Sequence, residues 1–441
     1  MPQRRSIIGI VLAVLVIFIS FSPQLRSFYS LPALLQVGVG DQLGLDLNLP
    51  SYLTNTLQVE IDAHPIDVLT FEEKHNSLAN FLQPDMAPMA AKPGQANLKL
   101  KLFGLIPVKN VNVDVKPRIE LIPGGHAIGI LLKTQGVTVI GFAPVKDEKG
   151  KEHLPGEQAG LMVGDTIEAV NGTPVATDEE TATLIDQLGR KGKPIILDIK
   201  RGNLKQKLAM VPVKCHDTNR YRIGLYIRDS AAGVGTLTFY HPETQVYGAL
   251  GHVIADVEIN RQIGAGEGKI VNASIQGIHQ ARRGQPGEKI GSFQGSQGVF
   301  GDIRKNTNYG IFGTINRPIK NDFYRNPLPV AYGHQVQVGP AEMLTVIEGN
   351  KIERFSIEIE KINPQRLANG KNLLIKITDP RLLKVTGGII QGMSGSPIIQ
   401  NGYLVGAVTH VLVNEPSRGY GILAEWMLTE TDLMEYAKEA A

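Results

Sequence analysis

Apolar and polar positions alternate in short runs along most of this chain. Leu57-Gln-Val-Glu-Ile-Asp62, Leu98-Lys-Leu-Lys-Leu-Phe103 and Val111-Asn-Val-Asp-Val-Lys116 each put apolar side chains on one face, the period of a half-buried strand. Further on, 222–228, 235–240, 309–314, 355–360, 373–378 and 403–411 are short β-like runs, many of them separated by glycine turns. Helical periodicity is scarce. Asp178 to Leu188 predicts a helix with Asp178 as N-cap and Ala182, Ile185 and Leu188 as its apolar stripe, and Thr431-Asp432 could cap another near the C-terminus. The pattern predicts a mainly β protein.

Composition bounds the reading. At roughly 100–200 residues per domain, 441 residues suggest two to four domains, and 42% hydrophobic with 20% charged residues is ordinary for chains with real cores. A net charge of +3 without a basic run gives no reason to expect a nucleic-acid partner. The single cysteine, Cys215, cannot form an intramolecular disulfide, and Cys215-His216 alone is too little for a zinc site, so a buried thiol and no metal or cofactor are expected. Arg4 and Arg5 precede the apolar run Ile7 to Phe21, which Ser22-Pro23 ends. This predicts a signal anchor over 1–30, with a cleaved signal peptide as the alternative. Either places the chain after about Leu31 outside the cytoplasm.

Three units are expected beyond it. Residues 31–118 are a β-rich spacer or docking region, with a Pro- and Gly-rich loop over 81–96. Residues 119–213 contain Ala159-Gly-Leu-Met-Val-Gly-Asp-Thr-Ile-Glu-Ala-Val-Asn-Gly172, in which Gly164-Asp165 turns, 167–170 is a strand and Asn171-Gly172 is a type I′ hairpin signal. The string resembles a bacterial-type PDZ domain, a module that adds a peptide as an edge strand. The loop holding the peptide carboxylate would then be Ala127-Ile128-Gly129-Ile130; an ordinary glycine-rich turn is the other reading. Residues 218–441, rich in short strands, suggest a barrel or sandwich.

Chemistry concentrates in this last unit. A serine hydroxyl needs a base to become a nucleophile and backbone donors to hold its tetrahedral adduct. In Gly392-Met-Ser-Gly-Ser-Pro397, glycines permit a strained turn that projects Ser394 and aims the N–H groups of Gly392 and Ser394 at one point. Ser396, before Pro397, is expected to be structural. Among ten histidines, His252 follows a strand and a small-residue turn, whereas His410, inside the strand after the serine, lines the pocket or packs. The acid that would orient the imidazole stays open among Asp256, Asp302, Asp322 and Asp379.

The order of these units, with Arg228-Asp-Ser-Ala-Ala-Gly-Val-Gly-Thr-Leu-Thr-Phe239, Gly248-Ala-Leu-Gly-His252, Asn306-Thr-Asn-Tyr-Gly-Ile-Phe-Gly313 and the Ser394 motif, resembles the SpoIVB peptidase family over nearly the whole chain. The resemblance implies a chymotrypsin-like double β-barrel and a triad of His252, Asp379 and Ser394. It also implies limited signalling proteolysis during endospore formation, in the space between forespore and mother cell. The substrate would be a membrane-bound regulator of the protease that activates a late sigma factor. Self-cleavage of the chain and an inhibitory protein partner belong to the same expectation. Two rivals stand beside it: an HtrA-like quality-control protease, whose PDZ unit usually follows the peptidase, and a non-catalytic PDZ scaffold.

Overall fold

The computed structural model describes residues 33–43, 56–65, 67–70, 87–202, 204–256, 261–262, 268–293, 298–365 and 370–440. Residues 1–30, where the signal anchor is expected, lie outside them. Among the described residues no helix is long and apolar enough to cross a membrane. The chain divides into two compact units, one made of residues up to 120 with 329–336 and 432–441, the other of 121–328 and 337–431.

In the first unit, β1 (Leu34–Gly38), β2 (Leu57–His64), β3 (Gly94–Leu102) and β4 (Ile106–Lys116) form one sheet in the order β1-β4-β3-β2. The alternation seen in sequence is the reason: Leu57, Val59, Leu98, Leu100, Val111, Val113 and Val115 fill a single core, while the residues between them face out. Strand β1 runs parallel to β4, with Leu34 opposite Asn112 and Gly38 opposite Lys116. The segment 329–336 belongs here because Tyr332 donates to the Pro117 carbonyl at 3.2 Å and Gln335 donates to Asp41 at 2.8 Å.

The second unit begins with β5 (Ala127–Phe142). The PDZ segment follows as α1 (Pro155–Gln158), β6 (Thr166–Val170), α2 (Asp178–Gly189), β7 (Ile195–Arg201) and β8 (Leu204–Met210). Positive φ at Asn171 (48°) and Gly172 (75°) gives the expected hairpin turn. The cap of α2 differs from expectation by one residue. Thr177 is the N-cap, accepting from the Glu180 N–H at 3.2 Å, and Glu180 reaches back to close a capping box. Val139, Ile167, Val170, Ile185, Ile195 and Leu197 are buried together in this module.

Strand β9 (Leu225–Tyr240) returns beside β5. Then come β10 (Val246–Ala249), β11 (Gly268–His279), β12 (Glu288–Phe293), β13 (Val299–Ile303), β14 (Lys305–Thr307) and β15 (Gly310–Thr314). Finally β16 (Gly339–Val346), β17 (Ile352–Ile362), β18 (Leu373–Ile377), α3 (Pro380–Thr386), β19 (Pro397–Gln400), β20 (Tyr403–Val411) and β21 (Arg418–Leu423) complete the second unit. Their strands close a barrel in the order β16-β17-β18-β21-β20-β19.

Residues 119–213 and 218–441, expected as separate domains, share their strands. The C-terminal part of β5 and the first residues of β9 belong to the PDZ sheet, where Phe142 lies opposite Leu225 and Thr138 opposite Arg228. The other halves of the same two strands pair from Lys133–Ser230 to Ala127–Thr236, where β5 also pairs with β11. The result is one sheet of 14 strands rather than a first barrel closed on its own.

Asp165, in the Gly164-Asp165 turn, is almost fully buried; Arg201 binds both of its carboxylate oxygens at 2.7 Å, and one of them also accepts the Met162 N–H at 2.9 Å. Asp165→Ala takes both carboxylate bonds from Arg201, which keeps the Gly160 carbonyl at 2.7 Å, and should cost about 1–3 kcal/mol, read from the denaturant midpoint of the full chain.

Candidate active site

The Ser394 turn is built from two glycines that cannot be replaced. Gly392 and Gly395 have φ of 90° and 92°, and a Cβ on Gly395 would lie 2.0 Å from the Thr236 carbonyl oxygen. Within the turn the Met393 N–H donates to Ile390 at 3.1 Å and the Gly395 N–H donates to Val408 at 2.8 Å. The N–H groups of Gly392 and Ser394 have no acceptor among the described residues. These are the two donors expected for an oxyanion.

Strand β9 clasps the turn from below. The buried hydroxyl of Thr236 donates to the Gly392 carbonyl at 2.7 Å, and that of Thr238 donates to the Gly395 carbonyl at 2.9 Å. The Thr236 N–H donates to the Ser394 carbonyl at 2.9 Å, and its own carbonyl accepts from the Leu250 N–H at 3.3 Å. Leu250 (φ 69°) and Gly251 (φ 71°) form the turn that presents His252. Thr236 therefore touches both catalytic turns. The Thr-Leu-Thr-Phe alternation of 236–239 was the available signal, since it puts both hydroxyls on one face.

His252, Ser394, Gly392, Thr409 and His410 line one cavity of about 760 Å³, with Ile130, Val234, Leu250, Ile389 and Ile390 among its apolar walls. The Nδ1 of His252 lies 2.8 Å from the Val253 carbonyl, so Nδ1 carries the proton and Nε2 keeps a lone pair, the tautomer a base needs. Burial lowers the His252 pKa below its ordinary 6.5. Asn306 fixes the backbone two residues on, accepting the Ile254 N–H at 2.9 Å and donating to the Ile254 carbonyl at 3.0 Å. The His410 ring stands 5.2 Å from that of His252, and burial with the neighbouring His252 pushes its pKa down to about 4. The Ser394 hydroxyl donates to the Thr409 carbonyl at 2.8 Å. Ser396 is fully buried, in keeping with a structural place.

The structure brings Ser394 and His252 together but does not bring Asp379 to the imidazole. Asp379 is the N-cap of α3, its Oδ1 accepting from the N–H groups of Arg381 at 2.9 Å and Leu382 at 3.0 Å. Asp302 accepts from the Thr314 N–H at 2.6 Å, Asp322 is exposed near His126, and Asp256 sits in the short pairing of 255–256 with 261–262. The group facing Nδ1 is a backbone carbonyl.

Lys289, which the sequence did not single out, braces the other side of the turn. Its N–H donates to the Gln391 carbonyl at 3.0 Å, and a Cβ on Gly392 would meet its side-chain stem at 3.0–3.2 Å. Its Nζ, buried, donates to the Thr345 hydroxyl at 2.7 Å, and desolvation brings its pKa down to about 7.

The proposed PDZ loop needs correction. Ala127 to Ile130 lies inside β5; Ile128 to Ile130 are paired on both edges, with Ile128 opposite Gly235 on β9 and Asn272 on β11. N–H groups spent in two ladders cannot hold a peptide carboxylate. The groove lies elsewhere. Gly224 (φ 73°), Leu225 and Ile227 face Thr181, Ala182 and Ile185 of α2 across a cavity of about 270 Å³, and among the described residues Leu225–Ile227 pairs with β5 alone. An open strand edge beside a helix is the geometry by which a PDZ module adds a peptide. Cys215 is a buried thiol at this groove.

Residues 219–428 match the family described as SpoIVB peptidase S55, and residues 148–201 match a PDZ domain. The chain thus carries a segment matching a serine peptidase family beside one matching a PDZ domain. Its peptidase segment belongs to the SpoIVB peptidase S55 family. A 120-residue stretch is 33% identical to LL2128 of Lactococcus lactis subsp. lactis, named as a candidate zinc metalloprotease, and covers 26% of each chain. The chain therefore spans about a quarter of that curated relative. Among the described residues no three His, Cys, Asp or Glu side chains gather to hold a metal. Among solved structures, the Rv3671c protease of M. tuberculosis in its active form is similar at 13% identity and TM-score 0.26, over 46% of this chain and 74% of that one. Human heparin binding protein is similar at 11% identity and TM-score 0.23, over 44% and 83%.

Two predictions follow from the braces of the turn. Thr236→Val should lower kcat by about 10- to 100-fold with KM little changed, while Thr236→Ser, which restores the hydroxyl, should recover most of it in a peptidase assay. Lys289 is neutral in the folded chain above about pH 7, whereas its ordinary pKa is 10.5. Over that interval the unfolded chain binds the extra proton, so stability falls as pH drops from 10.5 to 7. Lys289→Met should raise the denaturation midpoint at pH 7, and the gain should shrink as the pH approaches 10.5.

Proposed function

We propose that this chain is an exported signalling endopeptidase, anchored to a membrane by residues 7–21, that makes one or a few cuts in a membrane-protein regulator during endospore formation. The observation that carries the catalytic part is the pair of unspent N–H groups at Gly392 and Ser394 beside a Ser394 hydroxyl and an Nε2-basic His252. An extended substrate strand enters the cavity. The Ser394 hydroxyl turns from the Thr409 carbonyl, gives its proton to His252 Nε2 and attacks the scissile carbonyl. The oxyanion rests on the two free N–H groups. The imidazolium then hands its proton to the leaving amine, and water releases the acyl group by the same route.

The family resemblance supports the finer role: self-cleavage, an inhibitory protein partner, and a cut that leads to late sigma-factor activation. It also supports Asp379 as third member of the triad. The PDZ groove would gate the site by holding a substrate tail or a segment of the enzyme's own chain.

A fluorophosphonate should label Ser394, and Ser394→Ala should abolish both labelling and turnover without changing the thermal melt. An active protein that takes no label at Ser394 would sink the reading. Discrete fragments from a membrane-protein substrate are expected; extensive degradation of unfolded casein would favour the quality-control rival. Asp379→Asn separates two roles, because Asn caps a helix as well as Asp but carries no charge. Loss of a triad acid lowers kcat about 10,000-fold, whereas loss of charge at a cap leaves it within a few-fold. The engagement of Asp379 on α3 favours the second outcome. Because burial holds His252 below its ordinary 6.5 and the base must be neutral, the acid limb of kcat/KM should have its midpoint under pH 6.5.

A further inference from the structure

The first unit ends in a hairpin whose tip breaks the burial pattern of its own sheet. From Val111 to Val115, β4 alternates buried and exposed residues, but Ile106, Pro107 and Val108 are all exposed. With the turn before them they make a continuous apolar tip: Phe103 is 64% exposed, Leu105 82%, Ile106 57% and Val108 38%. The turn itself is costly for such residues. Phe103 has φ 55° and Gly104 φ 72°, a pair of positions where Asn-Gly or Gly-Gly ordinarily stands. An aromatic side chain there points to use rather than folding.

The charges behind the tip are lysines. Lys99 and Lys101 pair with Glu60, and Lys109, one residue past Val108, has no carboxylate partner among the described residues. The register then fixes where the preceding chain leaves. Since β1 is parallel to β4 and the Ala33 carbonyl accepts from the Asn112 N–H at 2.9 Å, β1 starts on the side of the sheet that faces Ile106, the tip end. Leu34, at that end, is itself 54% exposed. The stretch from Asn112 to the tip spans ~23 Å. Residues 22–33 reach at most ~40 Å when extended, so the run Ile7–Phe21 and the tip can meet one surface.

We propose that the Phe103–Val108 tip docks into a lipid bilayer, with its apolar side chains in the interface and Lys109 among anionic headgroups. The proposal rests on the reading of residues 7–21 as an anchor in the same membrane. Exposed apolar clusters of this kind also suit a protein partner or a second copy, but Lys109 at the base, a β1 that starts from the tip side and the short stretch of chain between it and Phe21 favour lipid.

The test uses the full chain with Trp426→Phe and Phe103→Trp, reconstituted in vesicles of phosphatidylglycerol and phosphatidylethanolamine with brominated acyl chains. Emission from position 103 should shift to the blue, lose intensity to the brominated lipid and resist aqueous iodide. Emission that stays red, iodide-sensitive and indifferent to bromine overturns the proposal. So does shielding from iodide without vesicles, which would mean a protein surface or a second copy covers the tip. Flotation of the unsubstituted chain with the same vesicles reports the anchor separately. A chain that floats with a wet position 103 keeps the anchor and loses the hairpin, and a chain that does not float loses both.

Discussion

The two turns of the candidate site hang from one buried residue, Thr236. Its hydroxyl, N–H and carbonyl reach the Gly392 carbonyl, the Ser394 carbonyl and the Leu250 N–H, so the turns carrying Ser394 and His252 share a single point of reference. The positive-φ leucine is a strained conformation that a chain keeps only when its surroundings hold it. The clasp does that. Among the described residues it leaves the N–H groups of Gly392 and Ser394 without partners, a cost that an oxyanion would reverse.

The surroundings of the His252 ring are also poor in charge. The ring beside His252 is another imidazole that burial keeps neutral, and the group on its Nδ1 is a carbonyl. Fixed dipoles orient the base without the desolvation cost of a buried carboxylate. Lys289 follows the same rule. Its stem fills the space against Gly392, and its ammonium gives up a proton rather than carry charge into the core.

Much of this was legible in the sequence because it is local. Period-two alternation located the strands, Asn171-Gly172 its hairpin, and the glycines around Ser394 their turn. His252 was readable from the small residues before it. What was hidden depends on contacts distant in sequence. Thr236 meets Gly392 across 156 residues, and Lys289 meets Thr345 across 56. The PDZ loop was misplaced for the same reason. Ala127 to Ile130 reads as a glycine-containing loop until β9 and β11, both remote in sequence, are laid on its two edges. Asp379 carried two meanings at once, and only the neighbouring N–H groups of α3 show which bonds it makes.

The sharing of β5 and β9 bears on how the enzyme comes into being. Between Phe142 and Leu225 the chain builds the whole PDZ module before it returns. As a slack loop, that stretch would oppose strand pairing through its closure entropy. Once folded, the module delivers the end of β5 and the start of β9 side by side, and the remaining pairs, down to Thr236, can zip from there. The peptide-binding module is then also the template on which the catalytic half assembles.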